Sequence, residues 1–329
     1  MSRTKMKTVF HDTYGAPDVL KFADRDKPVP NDDELLVRVR AAGVNPYDWH
    51  FMRGKPYFMR LIFGLPRPAT KSTLLGADVA GEVEAVGRNV AGYQPGDPIF
   101  GQVHLGSFAE YVCVPRDRLA RKPDNLTFEQ AAAVPMAALT ALQALRDVGR
   151  IQPGQQVLIN GAAGGIGTFA VQLAKAFGAE VTGVCSTGNV DLVRSIGADH
   201  VIDYRHEDFT RGERRYDLML DGVGNHRLAD CRRVLAAKAT FVAIGAGGGQ
   251  VLGPLTQVLK AAALSPFVSQ RMTRVSERAN TADLLIMKDL IEAGDVTPVI
   301  DRSYPLDQVA EAIGHVETGH ARGKVVITV

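Results

Sequence analysis

The sequence predicts an α/β protein in two parts, a β-rich part drawn from both ends of the chain and a doubly wound parallel sheet between them. Three observations predict this. Before Leu126, short runs such as "ELLVRVRAAGV" alternate apolar and polar residues, as half-buried strands do. After Leu126, apolar strand-like runs alternate with helical ones, the pattern of a parallel sheet covered on both faces. The final run, "KVVITV", is a strand that needs a sheet to satisfy its backbone groups, so it is expected to rejoin the β-rich part. The expected division is 1–124 with 275–329 for the β-rich part and 125–274 for the parallel sheet.

Each element has its own signal. "GADVAGEVEAVG" and "SFAEYVCVP" read as strands, with turns at "YQPGDP" and "VPRDR". "PYFMRLIFGLPRPATKS" reads as a long loop, and the stretch from Lys55 to Ser72 is expected to shape a pocket for an apolar ligand. Thr127 followed by Gln130 has the spacing of a capping box, and Gly149 is placed to end the helical stretch that follows. Then come strand "QVLIN", helix "GGIGTFAVQLAKAFG", strand "EVTGVC", helix "NVDLVRSIG", and strands "HVIDY" and "YDLMLD". Ile166, Ala170, Leu173, Ala174 and Phe177 share one face of the first of these helices. "HRLADCRRVLAA" reads as a helix and "ATFVAIG" as a strand. "SPFVSQRMT" gives one more strand, and "ADLLIMKDLIEAG" an amphipathic helix with a glycine stop. "VTPVIDRSYPLDQVAEAIGHVETG" supplies a further strand and helix.

Bulk properties narrow the function. The chain has 329 residues, 46% hydrophobic and 22% charged, with a net charge of +2 from interspersed acids and bases. That leaves no broad basic face for nucleic acid. Three dispersed cysteines, Cys113, Cys185 and Cys231, make neither a disulfide framework nor a four-cysteine zinc lobe. "MSRTKMKTVFHDTYG" lacks the apolar core of a signal peptide, and no apolar run is long enough to span a bilayer. Reduced thiols in a cytoplasm are the expectation.

The glycine-rich turn after "QVLIN" carries the chemistry. Such a turn between strand and helix lets backbone N–H groups approach a pyrophosphate, and the helix start adds positive potential. Ala162, Gly164 and Gly167 stand at the three spacings of the dinucleotide fingerprint, with Gly165 and Ile166 opening the helix. An NAD site places an acid at the end of the second strand, about 20 residues beyond the glycines. Ser186 stands there instead, followed by Thr187 and Asn189. A serine hydroxyl can donate to the extra phosphate of NADP, whereas a carboxylate repels it. Tyr204 and Arg205 at the end of the third strand are placed to reach that phosphate, and Arg194 less well. NADPH is therefore favoured over NADH.

The chain resembles the zinc-free quinone oxidoreductase branch of the medium-chain dehydrogenase/reductase superfamily. The resemblance spans nearly the whole chain through "YGAPDVL", "AAGVNPYDWHFMRG", "LLGADVAGEVEAVG", "GDPIFG", "GSFAEYV", "NGAAGGIGTFAVQLAKAFGAEVTGVCST", "IGADHVIDY" and "GHARGKVVI". It implies a GroES-like β-rich catalytic domain and a Rossmann nucleotide domain, with the site in a cleft between them. It also implies a dimer, for which "PFVSQRM" is the candidate sheet edge. Zinc-dependent members carry Gly-His-Glu where this chain has Gly76-Ala77-Asp78, so neither zinc nor flavin is expected. His50 and His104 are read as two ordinary histidines rather than a metal pair.

The catalytic segment implied is Asn-x-x-Asp-x-aromatic, here Asn45, Asp48 and His50, where relatives often have tyrosine at the last position. Asn45 is expected to orient the nicotinamide or a substrate carbonyl and Asp48 to hold the loop. His50 or Tyr47 would supply a proton. Gly188 stands where many relatives carry a basic residue, which leaves NADH use open. Arg322 and Lys324 match positions near the cofactor in relatives and are candidates for the missing charge. Gly245, in "GAGGG", is expected beside the nicotinamide. The implied activity is NADPH-dependent, metal-free reduction of quinones or of the C=C of enones. The alternatives are an NADPH-binding protein with little turnover, a zinc-independent alcohol dehydrogenase, and an enoyl-thioester reductase of the same fold.

Overall fold

Strand β3 (Glu34–Val44) organises the first of two compact units. The computed structural model describes residues 4–57, 60–61, 64–65, 67–68, 74–244 and 269–329. The first unit comprises Met1–Leu139, Ala279–Gly294 and Pro298–Val329, and the second Thr140–Arg278 with Asp295–Thr297.

In the first unit, β1 (Lys5–Phe10) and β2 (Lys21–Asp26) form an antiparallel pair. β3 is followed by α1 (Pro46–Arg53), β4 (Asp78–Val86), β5 (Pro98–Gln102), β6 (Tyr111–Pro115) and β7 (Leu119–Arg121). The C-terminal part adds β14 (Ile300–Pro305) and β15 (Lys324–Thr328). The main sheet has the order β14-β15-β3-β4-β5-β7, with β6 also on β3. The terminal strand thus rejoins the β-rich unit as expected, pairing Val325 with Val44 and Ile327 with Ala42. Leu35, Val37, Ile99, Phe108 and Leu119 are fully buried in its core, each contributing about 1.5–3 kcal/mol.

The helix α2 (Phe128–Ala132) starts at the predicted capping box. Gln130 N donates to Thr127 Oγ1, and Thr127 N donates to Gln130 Oε1. It packs on β3 and β4 of the first unit. Next comes α3 (Pro135–Gln143), continued by a wider π turn over Ala144–Gly149. Gly149 does not supply the left-handed stop predicted for it; Arg150 does, at φ 54°. Gly149 is needed for closeness instead, since a Cβ there would lie 2.8 Å from Ala144 O and 2.9 Å from the Leu218 side chain.

The second unit is a six-stranded parallel sheet: β8 (Gln156–Asn160), β9 (Glu180–Cys185), β10 (His200–Asp203), β11 (Tyr216–Asp221), β12 (Leu235–Ala243) and β13 (Arg271–Arg274). Its order is β10-β9-β8-β11-β12-β13. The order reverses between β8 and β11, so a ligand crevice is expected outside their carboxyl ends. Helices α4 (Gly165–Ala176), α5 (Val190–Ser195) and α6 (Leu228–Arg233) are the crossovers. α4 is buried all along Gly167–Ala174, whereas Ile166 and Phe177, expected on its inner face, are half-buried. The predicted helix over 226–237 stops at Arg233. Its apolar tail joins β12, because Leu235 enters the ladder opposite Tyr216 and Val234 is fully buried. Of "PFVSQRM", residues 266–268 lie outside the described residues, and Arg271 and Met272 open the edge strand β13. Helices α7 (Thr281–Glu292) and α8 (Val309–Glu317) belong to the first unit.

Candidate active site

The start of α1 is held by a buried polar cluster in the first unit. Asn45 occupies the cap in extended conformation and Pro46 fills the first helical position, where no N–H is missed. Asp48, three residues into the motif, accepts from Asn45 N at 2.8 Å and from Gly76 N at 2.9 Å. It is fully buried, and burial pushes its carboxyl up to about 7 despite those two N–H donors. Through these bonds Asp48 joins the start of α1 to Gly76.

Asn45 is not disposed as expected. Its side chain is 3% exposed, and both ends of its amide are taken inside the unit. Nδ2 donates to Asp78 Oδ2 at 2.9 Å, and Oδ1 accepts from Lys324 Nζ at 2.5 Å. An ammonium only donates and a carboxylate only accepts, so the amide has one orientation. Asn45 therefore fixes α1 rather than offering its amide to a ligand. Lys324 departs from expectation too. It is 3% exposed, and its Nζ also reaches Val44 O at 3.2 Å and Asp78 Oδ2 at 3.4 Å. Its ammonium is thus engaged by three oxygens of the same unit. Arg322, two residues earlier, is exposed.

Asp78 completes the cluster, and sequence reasoning missed it. It is fully buried and also accepts from Met136 N at 2.9 Å. Burial raises its carboxyl, and the Lys324 charge opposes that. Its place at the head of the apolar run Val79-Ala80-Gly81 is the signal that could have found it, because acids are rarely buried without a partner.

The two proton-donor candidates differ. His50 Nδ1 lies 3.0 Å from Lys55 O, so that nitrogen carries the hydrogen and donates it. Its ring stacks on Trp49, and burial lowers its basicity. Tyr47, in the first turn of α1, places Oη 3.2 Å from His104 Nδ1. Among the described residues no three His, Cys, Asp or Glu are set to hold a metal ion.

In the second unit, the glycine turn joins β8 to α4. The left-handed residue is Gly161, at φ 88°, one position before the Ala162 that the spacing had placed in the tight-turn role. Ala162 is fully buried and packs over Gly183. Gly167 is required by packing, since a Cβ there would sit 2.1 Å from Gly161 O. Gly164 is different. Its φ is −82°, and an added Cβ would meet only Gly161 O at 3.4 Å. The protein itself leaves room at Gly164, and the space suits a ligand approaching the backbone. Gly164 also caps α4 without a side chain, which leaves the N–H groups of Gly165, Ile166 and Gly167 without an intrahelical acceptor.

Two further residues brace this turn and were not foreseen. Asn160, ending β8, donates to Asp221 Oδ1 at 2.9 Å and to Asn225 Oδ1 at 3.0 Å. The same Asp221 oxygen accepts from Val223 N and Gly224 N. Both residues end strands at the switch point, where a polar residue closing an apolar run was the available signal.

Beyond β9, Ser186 Oγ accepts from Asn189 Nδ2 at 3.2 Å, which leaves its O–H to donate elsewhere. Asn189 Oδ1 is buried without a protein partner. Thr187 donates its hydroxyl to Asp203, the main cause holding that carboxyl below its usual range. Asp203 ends β10 opposite Cys185 and also accepts from Arg205 N at 3.0 Å. It is an acid bonded to the loop that follows Ser186, and the sequence reading passed over it. Tyr204 is 48% exposed, and Arg194 lies 4.0 Å from Asp191. Gly245 lies outside the described residues.

The zinc chemistry of this superfamily does not fit these residues. Ala77 offers no ligand, and both Asp78 oxygens already accept from protein donors. Cys113 sits in β6 and belongs to no group of three His, Cys, Asp or Glu among the described residues.

Known proteins place the chain. The family described as "Alcohol dehydrogenase GroES-like domain" matches residues 31–124, and "Zinc-binding dehydrogenase" matches 196–327. The chain is 36% identical to 2-methylene-furan-3-one reductase of Solanum lycopersicum, over 98% of this chain and 79% of the relative. It is 35% identical to the NADPH-dependent alkenal/one oxidoreductase, chloroplastic, of Arabidopsis thaliana, over 98% and 79%. The solved quinone oxidoreductase from Coxiella burnetii superposes with a TM-score of 0.86 at 31% identity, covering 99% of this chain and 100% of that one. The chain belongs to the zinc-free, quinone and enone oxidoreductase branch of the medium-chain dehydrogenase/reductase superfamily.

Proposed function

We propose that the protein is an NADPH-dependent, metal-free reductase that delivers hydride to quinones or to the C=C of α,β-unsaturated carbonyl compounds. The observation that carries this reading is the glycine turn, where Gly164 has space that the protein does not use and three N–H groups open α4. Relatives described as an alkenal/one oxidoreductase and a quinone oxidoreductase support the substrate class. When bound, the dinucleotide supplies the hydride.

The chain's own residues bind and orient. Gly165, Ile166 and Gly167 donate backbone N–H groups to a pyrophosphate. Ser186 donates its hydroxyl to a ribose phosphate, since Asn189 already occupies an acceptor site on its oxygen. Tyr204 and Arg205 stand at the end of the neighbouring strand. Thr187, tied to Asp203, has its hydrogen engaged and gives less. Asn45, Asp48, Asp78 and Lys324 hold the first turn of α1 in place. Arg322 is exposed and available for charge. Among the described residues no helix is long and apolar enough to cross a membrane. A cytoplasmic homodimer paired along β13 completes the proposal.

The test is NADPH oxidation with a simple quinone and an α,β-unsaturated ketone, with chelator present and NADH in parallel. Chelator-resistant turnover that prefers NADPH is expected. Tight NADPH binding with no turnover on either acceptor would favour a binding protein instead.

A further inference from the structure

His50 stands where relatives often carry a tyrosine, and it is poorly placed to be an acid. Its Nδ1 hydrogen is engaged by Lys55 O, its ring is stacked on Trp49, and its second nitrogen is then a lone pair. The same helix presents another phenol. Tyr47 Oη lies 3.2 Å from His104 Nδ1, and the two rings meet edge-on at 6.3 Å. Phe51 packs against both, 4.5 Å from the Tyr47 ring and 6.1 Å from that of His104. The first turn of α1 is itself fixed by Asp48, which accepts from Asn45 N and Gly76 N. His104 is exposed, so one end of the pair faces water.

On the reductase reading above, we propose that Tyr47 is the proton donor of the reaction and that His104 relays protons to it from solvent. Hydride adds to the β-carbon of the enone and the π electron pair moves to the carbonyl oxygen. The resulting enolate takes the proton from Tyr47 Oη. The hydrogen on His104 Nδ1 passes to the tyrosinate oxygen as that bond forms, and His104 Nε2 takes a proton from water or a buffer acid. The imidazole stays neutral with its hydrogen moved to Nε2, and proton exchange of exposed His104 with water returns the hydrogen to Nδ1 before the next turnover. The sum is one hydride from the dinucleotide and one proton from solvent per enone reduced. His104 acts through Tyr47 and is a positioning and relay residue.

The two acceptor classes separate an acid from a binding contact. An enolate is a strong base that needs its proton, whereas the anion of a reduced quinone is stable enough to leave without it. Tyr47→Phe is expected to lower kcat for the enone by about 10²-fold and for a quinone by less than about threefold, within the range for a lost general acid. NADPH affinity, read by nucleotide fluorescence, should not change. His104→Asn is expected to lower enone turnover by roughly tenfold, with added imidazole restoring it. Enone turnover that survives Tyr47→Phe, or loss of both acceptors together with NADPH affinity, would overturn the assignment of Tyr47. Enone turnover abolished by His50→Gln while Tyr47→Phe retains it would overturn it in favour of His50. Failure of imidazole to restore His104→Asn would overturn the relay. A wild-type protein that oxidises NADPH with neither acceptor would overturn the reductase reading itself, and the pair with it.

Discussion

The two units treat their polar groups in opposite ways. In the first, Asn45, Asp48, Asp78 and Lys324 are buried and satisfy one another, so the site's foundation is complete without any ligand. In the second, the turn at Gly161–Gly167 and the Ser186 loop leave donors open, and Asn189 Oδ1 is an enclosed acceptor with no protein partner. One region is organised by its own charges and the other by what it is built to receive. The contrast teaches where a substitution registers. Changes in the first cluster should act on folding, and changes in the second on binding.

The sharpest break of that contrast is Lys324→Met. It strands Asp78 and the Asn45 oxygen inside the core, and urea unfolding should show a loss of about 3–5 kcal/mol. Adding Asp78→Leu should recover only the part due to the stranded acid, because Asn45 Nδ2 and Met136 N then lose their acceptor. A loss under about 1 kcal/mol for the single variant would place the cluster among dispensable contacts.

Within the second unit, Gly167→Ala and Gly164→Ala should part company. The first forces a Cβ to 2.1 Å from Gly161 O and is expected to cost about 1–3 kcal/mol of stability. The second should change stability by less than about 1 kcal/mol while weakening NADPH at least about tenfold, measured by fluorescence titration. Equal stability losses in both would mean that Gly164 also serves the fold.

Ser186→Asp tests the ribose end. A carboxylate there should weaken NADPH by roughly tenfold and leave NADH unchanged or better, because it repels the extra phosphate. An unchanged NADPH/NADH ratio would place the discrimination at Tyr204 and Arg205.

The smallest effect expected is a pH dependence at the opposite end of the second sheet. Glu180 is hydrogen-bonded by Gln156, His200 and Arg214, which hold its carboxyl down at about 2 against an ordinary 4.5. A depressed acid favours the fold above the unfolded value, and the contribution disappears as pH falls through about 2. Glu180→Gln should therefore unfold at a higher pH in an acid titration, with the two proteins converging at the acid extreme. Parallel curves across that window would show that the network is too solvated to matter.

The sequence made the local devices legible. Thr127 and Gln130 announced their capping box, the glycine run around Gly164 announced its strand-turn-helix, and the final run announced its return to the β-rich unit. What stayed hidden was either non-local or off by one residue. Lys324 and Asn45 meet across 279 positions, and no periodicity carries that pairing. Ala162 fitted the glycine spacing, yet the positive φ falls on Gly161, which only backbone geometry distinguishes. Asp78 was visible only as the lost half of a metal motif, while its place opposite Lys324 depends on which strands become neighbours. The helix expected over 226–237 failed because "VLAA" fits either period, and the ladder beside Tyr216 decided between them.

Strand β15 has a consequence for how the chain is made. It lies between β14 and β3, and it carries the ammonium that makes Asp78 tolerable in the core. A ribosome releases Asp78 and β3 long before it releases Lys324. Until then the edge of β3 that β15 will cover is open to other strands, and an unneutralised acid faces the forming core. The second unit has no such wait, because its strands are encoded in one stretch from Gln156 to Arg274. Translation therefore favours a nascent chain whose middle is folded while its beginning is still held open, the hazard that chaperones exist to cover.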